Sequence, residues 1–252
     1  MRARLKLRLR AFAPLRELLS RQGAKARSTA FVFTLALLLS LPAHAQTPQP
    51  AKEQGPPKES GEFRAPDLVE IVKLDRSVRL QIRYATPNNF AGRPVYTEAR
   101  AFLQRPAAEA LVRAHRALKK QGYGVMVFDG YRPWRVTKLF WDITPEDKKQ
   151  FVADPSKGSR HNRGCAVDLT LYDLRTGRQV EMPSGYDEMT ERAHINYPGG
   201  TPDQRRLRGL LRSAMEAEGF TVYDPEWWHY DFKDWRQYPI LDLPFSEIGK
   251  TR

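Results

Sequence analysis

Hydrophobic and polar residues alternate strictly over 166–172. Val167, Leu169 and Leu171 fall on one side and Asp168, Thr170 and Tyr172 on the other, the period of a half-buried strand. Upstream, Val69, Ile71, Val78, Leu80 and Ile82 alternate with charged residues over 68–84 and predict short β segments. From Pro106 the period becomes helical: Leu111, Ala114, His115 and Leu118 share a face, with Gly122 past the end. Residues 124–128, GVMVF, form an apolar run short enough for a buried strand, ending at Asp129-Gly130. Pro133 opens another helix, through Val136, Leu139, Phe140 and Ile143. Thr144-Pro145-Glu146-Asp147 has the order of an N-cap, a helix-starting proline and first-turn acids, and predicts a short helix that stops before Pro155. Residues 173–177 read as a hairpin turn and 183–198 as a long polar loop, the kind that walls a site. A helix follows over 203–218, with Leu207, Leu210, Leu211, Ala214 and Met215 inward and Gly219 at its end. A strand over 220–223 then leads to Glu226 and His229. Helices and hairpin-like strands in mixed order, with no internal repeat and no regular βαβ alternation, predict a single α+β domain whose mainly antiparallel central sheet is flanked by helices.

The N-terminal stretch does not share this patterning. Residues 1–27 are basic, 31–41 (FVFTLALLLSL) are mainly apolar, and Pro42 and Ala43-His44-Ala45 follow. An eleven-residue, mainly apolar run is too short to span a bilayer comfortably, so the reading is a signal peptide cleaved after Ala45, over 1–45, with no stable membrane insertion afterwards. That places the mature protein in the periplasm or outside the cell. Residues 46–62 hold Pro, Gln, Lys and Glu with little to bury and are expected to be a flexible linker, leaving 63–252 as the folded domain. Net charge is +13, but 1–45 carry nine Lys or Arg against one acid and so supply +8 of it. The remaining +5 needs no nucleic-acid partner, and no basic stripe interleaved with aromatics supports one.

The chemistry concentrates in 158–173, GSRHNRGCAVDLTLYD, and 224–232, DPEWWHYDF. His161 lies in a loop where Gly158 and Gly164 let the backbone turn back over the strand, and Asp168 sits seven positions later on its polar side. His229 is a third metal-ligand type, with the carboxylate of Glu226 three residues before it. Catalytic zinc sites take three such ligands, keep one position open, and place a free carboxylate nearby. The one cysteine, Cys165, excludes an internal disulfide, and a small buried residue suits it better than a ligand or nucleophile. His115 reads as a packed side chain of its helix, while His194 could replace a ligand only if the His161/Asp168 pairing failed.

The pattern S-x-H-x6-D followed by E-x-W-H resembles the D-alanyl-D-alanine dipeptidase family, the zinc dipeptidases that include those of vancomycin-resistance clusters and their bacterial relatives. The likeness extends through RYATPNNFAG (83–92), FDGYRP (128–133) and PSGYDEMTERAH (183–194), so five separated motifs fall in order over 68–238. The resemblance implies one zinc per chain held by His161, Asp168 and His229, with Glu226 as general base and then acid. It implies that Arg132 stabilises the oxyanion, the structural alternative being an Arg paired with Asp129 across the turn. Asp187 matches the acid that receives the substrate ammonium, and Tyr84 and Ser159 match residues near the bound dipeptide. Trp227 and Trp228 would lower the local dielectric or serve as plain core. The implied function is hydrolysis of D-alanyl-D-alanine, a small-molecule partner, in cell-wall peptide turnover or scavenging. Export supports that role, because an enzyme depleting precursor dipeptide for resistance belongs in the cytoplasm. Two other readings stand beside it: a D,D-carboxypeptidase or L,D-peptidase acting on peptidoglycan stem peptides, and a non-catalytic wall-binding module with a structural zinc. The sequence leaves the oligomeric state open.

Overall fold

β-branched and aromatic residues crowd YGVMVFD and EWWHYDF, and each becomes a seven-residue strand flanking the alternating segment. The computed structural model describes residues 55–250; the expected signal peptide and most of the expected linker lie outside them. In chain order the elements are β1 (Leu68–Glu70), α1 (Ile71–Leu74), β2 (Arg79–Leu80), β3 (Phe102–Gln104), α2 (Arg105–Lys119), β4 (Tyr123–Asp129), α3 (Trp134–Ile143), β5 (Ala166–Asp173), α4 (Pro202–Glu216), β6 (Phe220–Tyr223) and β7 (Glu226–Phe232). The central sheet runs β2-β4-β5-β7-β6, antiparallel throughout except for the parallel β2–β4 pair, and β1 pairs with β3 in a small second sheet. Helices α2 and α4 pack on this sheet and on each other, burying Leu111, Ala114 and Leu118 of one and Leu207, Leu211 and Met215 of the other. This is the expected α+β domain.

β5 is the middle strand, and that corrects the half-buried expectation. Residues 166–172 are all buried, Thr170 and Asp168 as thoroughly as Val167 and Leu169. The alternation is real, but its polar side is buried rather than wet, and its Asp168 lies at the floor of a cavity. Register then decides what that floor carries. Asp168 stands opposite His229 on β7 and opposite Asp129 on β4, where a bulge between Val127 and Asp129 shifts the pairing. Directly paired residues point to the same face, so three polar side chains from strands far apart in sequence form one row.

Several local expectations shift. The 68–84 stretch holds only two short strands, with α1 and a 3-10 turn over Arg83–Ala85 taking the rest. Thr144 is not an N-cap: its hydroxyl donates to the Phe140 carbonyl at 2.6 Å and closes α3, and Glu146–Phe151 is a 3-10 turn led by Pro145. α4 begins earlier than 203, at Pro202, because Thr201 and Gln204 make a reciprocal capping box. Glu59 falls inside the stretch expected to be flexible, yet its carboxylate accepts from Arg163 at 2.5 Å and from the Ile240 amide at 2.7 Å.

Candidate active site

The loop before β5 turns as its glycines predict. Gly158 and Gly164 have φ of +69° and +67°, a region open to glycine without strain. Between them a 3-10 turn, His161–Arg163, folds His161 over the sheet, and Asn162 pins the turn by donating to the Arg132 carbonyl and to Thr137 at 2.8 Å each. His161 Nε2, His229 Nδ1 and Asp168 Oδ1 converge, at 3.1 Å between the two nitrogens and 3.3 and 3.0 Å from each to the carboxylate. Each imidazole commits its other nitrogen elsewhere. His161 Nδ1 lies 2.7 Å from the Gly130 carbonyl and His229 Nε2 lies 2.9 Å from Asp231 Oδ1, acceptors that require the ring N–H on that side. Two ring nitrogens and a carboxylate oxygen therefore face one point, an arrangement that suits a cation. Tetrahedral zinc with bonds of about 2.0–2.2 Å spaces its ligand atoms by roughly 3.3–3.5 Å. The donor set and its spacing fit zinc.

The ligands are themselves held. Tyr186 donates its hydroxyl to Asp168 Oδ2 at 2.9 Å, and Asp231 is 3.5 Å from Arg160. Asp129, 1% exposed, accepts from Tyr96, from the Gly130 amide and from Arg132 at 2.8–2.9 Å. Tyr186 and Asp231 were not among the sequence candidates, and Asp129 entered only as a structural partner for Arg132. Tyr186 precedes Asp187 in its motif, and Asp231 alternates with His229 on one strand, so both signals were available.

A cavity of about 150 Å³ opens over this row, lined among others by Tyr84, Arg132, Ser159, Asp187, Glu226 and Trp228. Glu226 Oε2 is 3.9 Å from His229 Nδ1, beside the convergence point without joining it. Burial first, and the charge of Asp168 second, push its carboxyl up to about 7, with His229 and Arg132 opposing. Arg132 makes the Asp129 pairing of the structural alternative and also lines the cavity. Its guanidinium is clamped by Asp129 at 2.8 and 2.9 Å, and it also lies 3.8 Å from Asp168, sandwiched against the Tyr84 and Phe140 rings.

Asp187 takes φ of +59°, the one such non-glycine among the described residues, and the turn aims its carboxylate at Tyr84, whose hydroxyl donates to both oxygens at 3.1 Å. Burial, then Asp168 and Glu226, hold its carboxyl well above the usual range. Burial and Asp187 likewise keep Tyr84 a protonated donor. Ser159 accepts the His161 amide at 3.2 Å, leaving its own O–H to donate. Trp228 lines the cavity and packs edge-on against Tyr186, while Trp227 is buried beneath with its indole N–H on Ser184 at 2.9 Å. Asn89 is spent within its own loop, donating to the Arg83, Thr86 and Arg93 carbonyls.

The remaining candidates lie elsewhere. His194 is exposed after a 3-10 turn and absent from the cavity lining. His115 is fully buried in α2 with both nitrogens engaged by Val125 and Ser77. Cys165 is buried, and burial raises its thiol to about 12, so it carries no thiolate to attack or ligate with.

A model of the D-ala-D-ala dipeptidase family, peptidase M15, matches residues 64–249. The D-alanyl-D-alanine dipeptidase of Escherichia coli (strain K12) is 34% identical over 180 residues, covering 71% of this chain and 92% of that protein. Its counterpart from Enterococcus faecium is 40% identical over 200 residues, covering 70% and 96%. The one from Enterococcus faecalis is 38% identical over 190 residues, covering 67% and 92%.

Proposed function

The chain belongs to the D-ala-D-ala dipeptidase family of zinc metallopeptidases, and from that membership we infer how its own residues divide the hydrolysis of D-alanyl-D-alanine into two D-alanine molecules. The observation that carries the inference is the convergence of His161 Nε2, His229 Nδ1 and Asp168 Oδ1 beside an uncommitted Glu226. These three residues hold one zinc per chain. Zinc, when bound, supplies Lewis acidity: it lowers the pKa of water toward neutrality and polarises the scissile carbonyl.

Glu226 takes a proton from the attacking water on its carboxylate and hands it to the departing amine. A carboxyl raised to about 7 is suited to both directions, since it exchanges its proton near neutral pH. Arg132, locked by Asp129, points a fixed cation at the charge that develops on the carbonyl oxygen. Asp187 receives the substrate ammonium. That contact replaces the lost solvation of its carboxylate and brings its pKa back down. Tyr84 holds Asp187 in place, and Ser159 offers a hydroxyl to the dipeptide. Trp228 and Phe140 keep the surroundings apolar, which strengthens each of these charge contacts.

An acid committed to an ammonium selects a free N-terminus, which supports a dipeptidase over an enzyme of polymer-linked stem peptides. The apolar run at 31–41 and the A-x-A sequence at Ala45 support export to the periplasm or beyond, and with it a role in wall turnover or nutrient recovery. The test is release of free D-alanine from D-alanyl-D-alanine by the zinc-loaded protein, run beside Glu226→Ala and an N-acetylated substrate. Turnover of the free dipeptide alone, lost in the variant, is the expected result. Cleavage of the acetylated peptide in preference would overturn it in favour of a carboxypeptidase.

A further inference from the structure

A dipeptide zwitterion carries two charges, and the residues assigned so far receive only the ammonium. The cavity lining contains two arginines, Arg132 and Arg160. Arg132 is committed, with two contacts to Asp129 under 3.0 Å and side-chain exposure of 11%. Arg160 differs in each respect. Its side chain is 43% exposed, its guanidinium is laid over the Trp235 ring at 4.8 Å, and its nearest anion, Asp231, is 3.5 Å from Nε. Among the described residues the guanidinium makes no hydrogen bond, and its Nε is buried without one. Asp231 is itself engaged by His229 at 2.9 Å, so it is a shared and weak partner for Arg160. Arg160 is thus a cation fixed by stacking, with its donors unspent, on the wall of the cavity beside Ser159 and His161.

We propose that Arg160 is the specificity residue for the C-terminal carboxylate of the substrate. This role rests on the dipeptidase reading and adds a receptor for the other end of the substrate. Charge decides between the lining residues: Asp187, Glu226 and Asp168 repel a carboxylate, Arg132 is held by Asp129 and directed at the scissile carbonyl, and Arg160 remains. The two charged groups have different neighbours, Arg160 standing against Asp231 and Trp235 and Asp187 against Tyr84. The planar fork of a guanidinium matches a carboxylate with two parallel hydrogen bonds, and stacking on Trp235 lowers the entropy lost when they form. The two charged receptors then measure the substrate from both ends, which accounts for selection of a two-residue peptide over longer chains.

The experiment compares D-alanyl-D-alanine with its C-terminal amide, using the zinc-loaded full chain as wild type, Arg160→Gln and Arg160→Lys. A charge-assisted contact made equally in ground and transition states moves KM and leaves kcat alone, by about tenfold or more. The wild type is expected to show a KM at least about tenfold lower for the acid than for the amide. Arg160→Gln should raise KM for the acid by that factor, leave the amide unchanged and erase the discrimination, with Lys restoring part of it. A Gln variant that keeps the acid-to-amide ratio of the wild type overturns the proposal while leaving the dipeptidase reading intact. Wild-type protein that cleaves neither compound overturns the dipeptidase reading and this proposal with it. Unchanged zinc content and thermal midpoint in both variants confine the effect to substrate binding.

Discussion

Two regions of the molecule bury histidine, and they use it in opposite ways. In α2, His115 accepts the Val125 amide on Nδ1 at 3.0 Å and meets the Ser77 hydroxyl at Nε2, 2.8 Å away. Both nitrogens are consumed by protein partners, and burial holds the ring neutral by lowering its pKa to about 4. At the sheet, His161 and His229 each spend one nitrogen on Gly130 or Asp231 and turn the other toward Asp168. Exposure does not separate the two cases, since His115 is 0% exposed, His161 2% and His229 8%. The partner of the second nitrogen does. A buried ring with two fixed partners is scaffold; a buried ring with one fixed partner, whose other nitrogen faces a second imidazole and a carboxylate, is a candidate ligand.

That contrast can be tested most severely at the converging ring nitrogens. Chelation of zinc should abolish dipeptide turnover and restoration of zinc should return it. Glu226→Gln, which leaves all three ligands in place, should lower kcat by about 10²–10⁴ with zinc still bound. Full activity in the chelated protein would sink the ligand assignment. Arg132→Lys keeps a cation against Asp129 but loses the fixed fork, so kcat should fall by about 10²–10³ with a smaller change in KM. Asp231→Asn tests the fixed side of His229. Loss of the carboxylate should weaken zinc by about 10–100-fold, read by competition with a chromophoric chelator. An Asn variant with wild-type affinity would mean that Asp231 serves Arg160 rather than the metal.

The smallest effect on turnover is expected at His115. His115→Gln should leave kcat and zinc affinity within about twofold, since no part of that side chain reaches the cavity. Its signature lies in stability. The folded pKa of about 4 is below the unfolded value near 6.5, so the unfolded chain binds more protons between those limits. Stability from this group is fully present above about pH 6.5 and lost as pH falls toward 4, by about 3 kcal/mol at pH 4. Denaturant unfolding at pH 7 and at pH 4.5 should show a larger drop for wild type than for the Gln variant. Equal slopes would remove His115 from the acid sensitivity of the fold.

The sequence carried this contrast only in part. Alternation over 166–172 located the middle strand, and H-x6-D with E-x-x-H picked out the residues that converge there, because both patterns are local. Local, too, was the helical face on which His115 sits. The partners were harder to see. Asp129 meets Asp168 only through the register of β4 on β5, after a bulge that no spacing announces. The Gly130 carbonyl that orients His161 is backbone, invisible in any residue pattern. The polar side of β5 is buried among residues far along the chain, with His229 of β7 beside Asp168 and Tyr186 of the 183–198 loop against it. Thr201 and Gln204 were a different kind of miss: their capping box was written in TPDQ, one step before the place where the helix was taken to start.

Glu59 sets where an autonomous fragment of this chain can begin. Its carboxylate reaches past the first strand to Arg163, whose side chain is 10% exposed, and to the amide of Ile240, whose side chain lies against Gly158 in the ligand loop. Trimming the chain to 63, where hydrophobic patterning starts, takes the carboxylate from that nearly buried cation, leaving it the Tyr238 carbonyl and the Trp235 ring, and frees the segment that braces the loop. The boundary of the catalytic domain is therefore electrostatic before it is hydrophobic, and a protease that clips between Glu59 and Phe63 would release a piece whose sheet is intact and whose ligand loop has lost its brace.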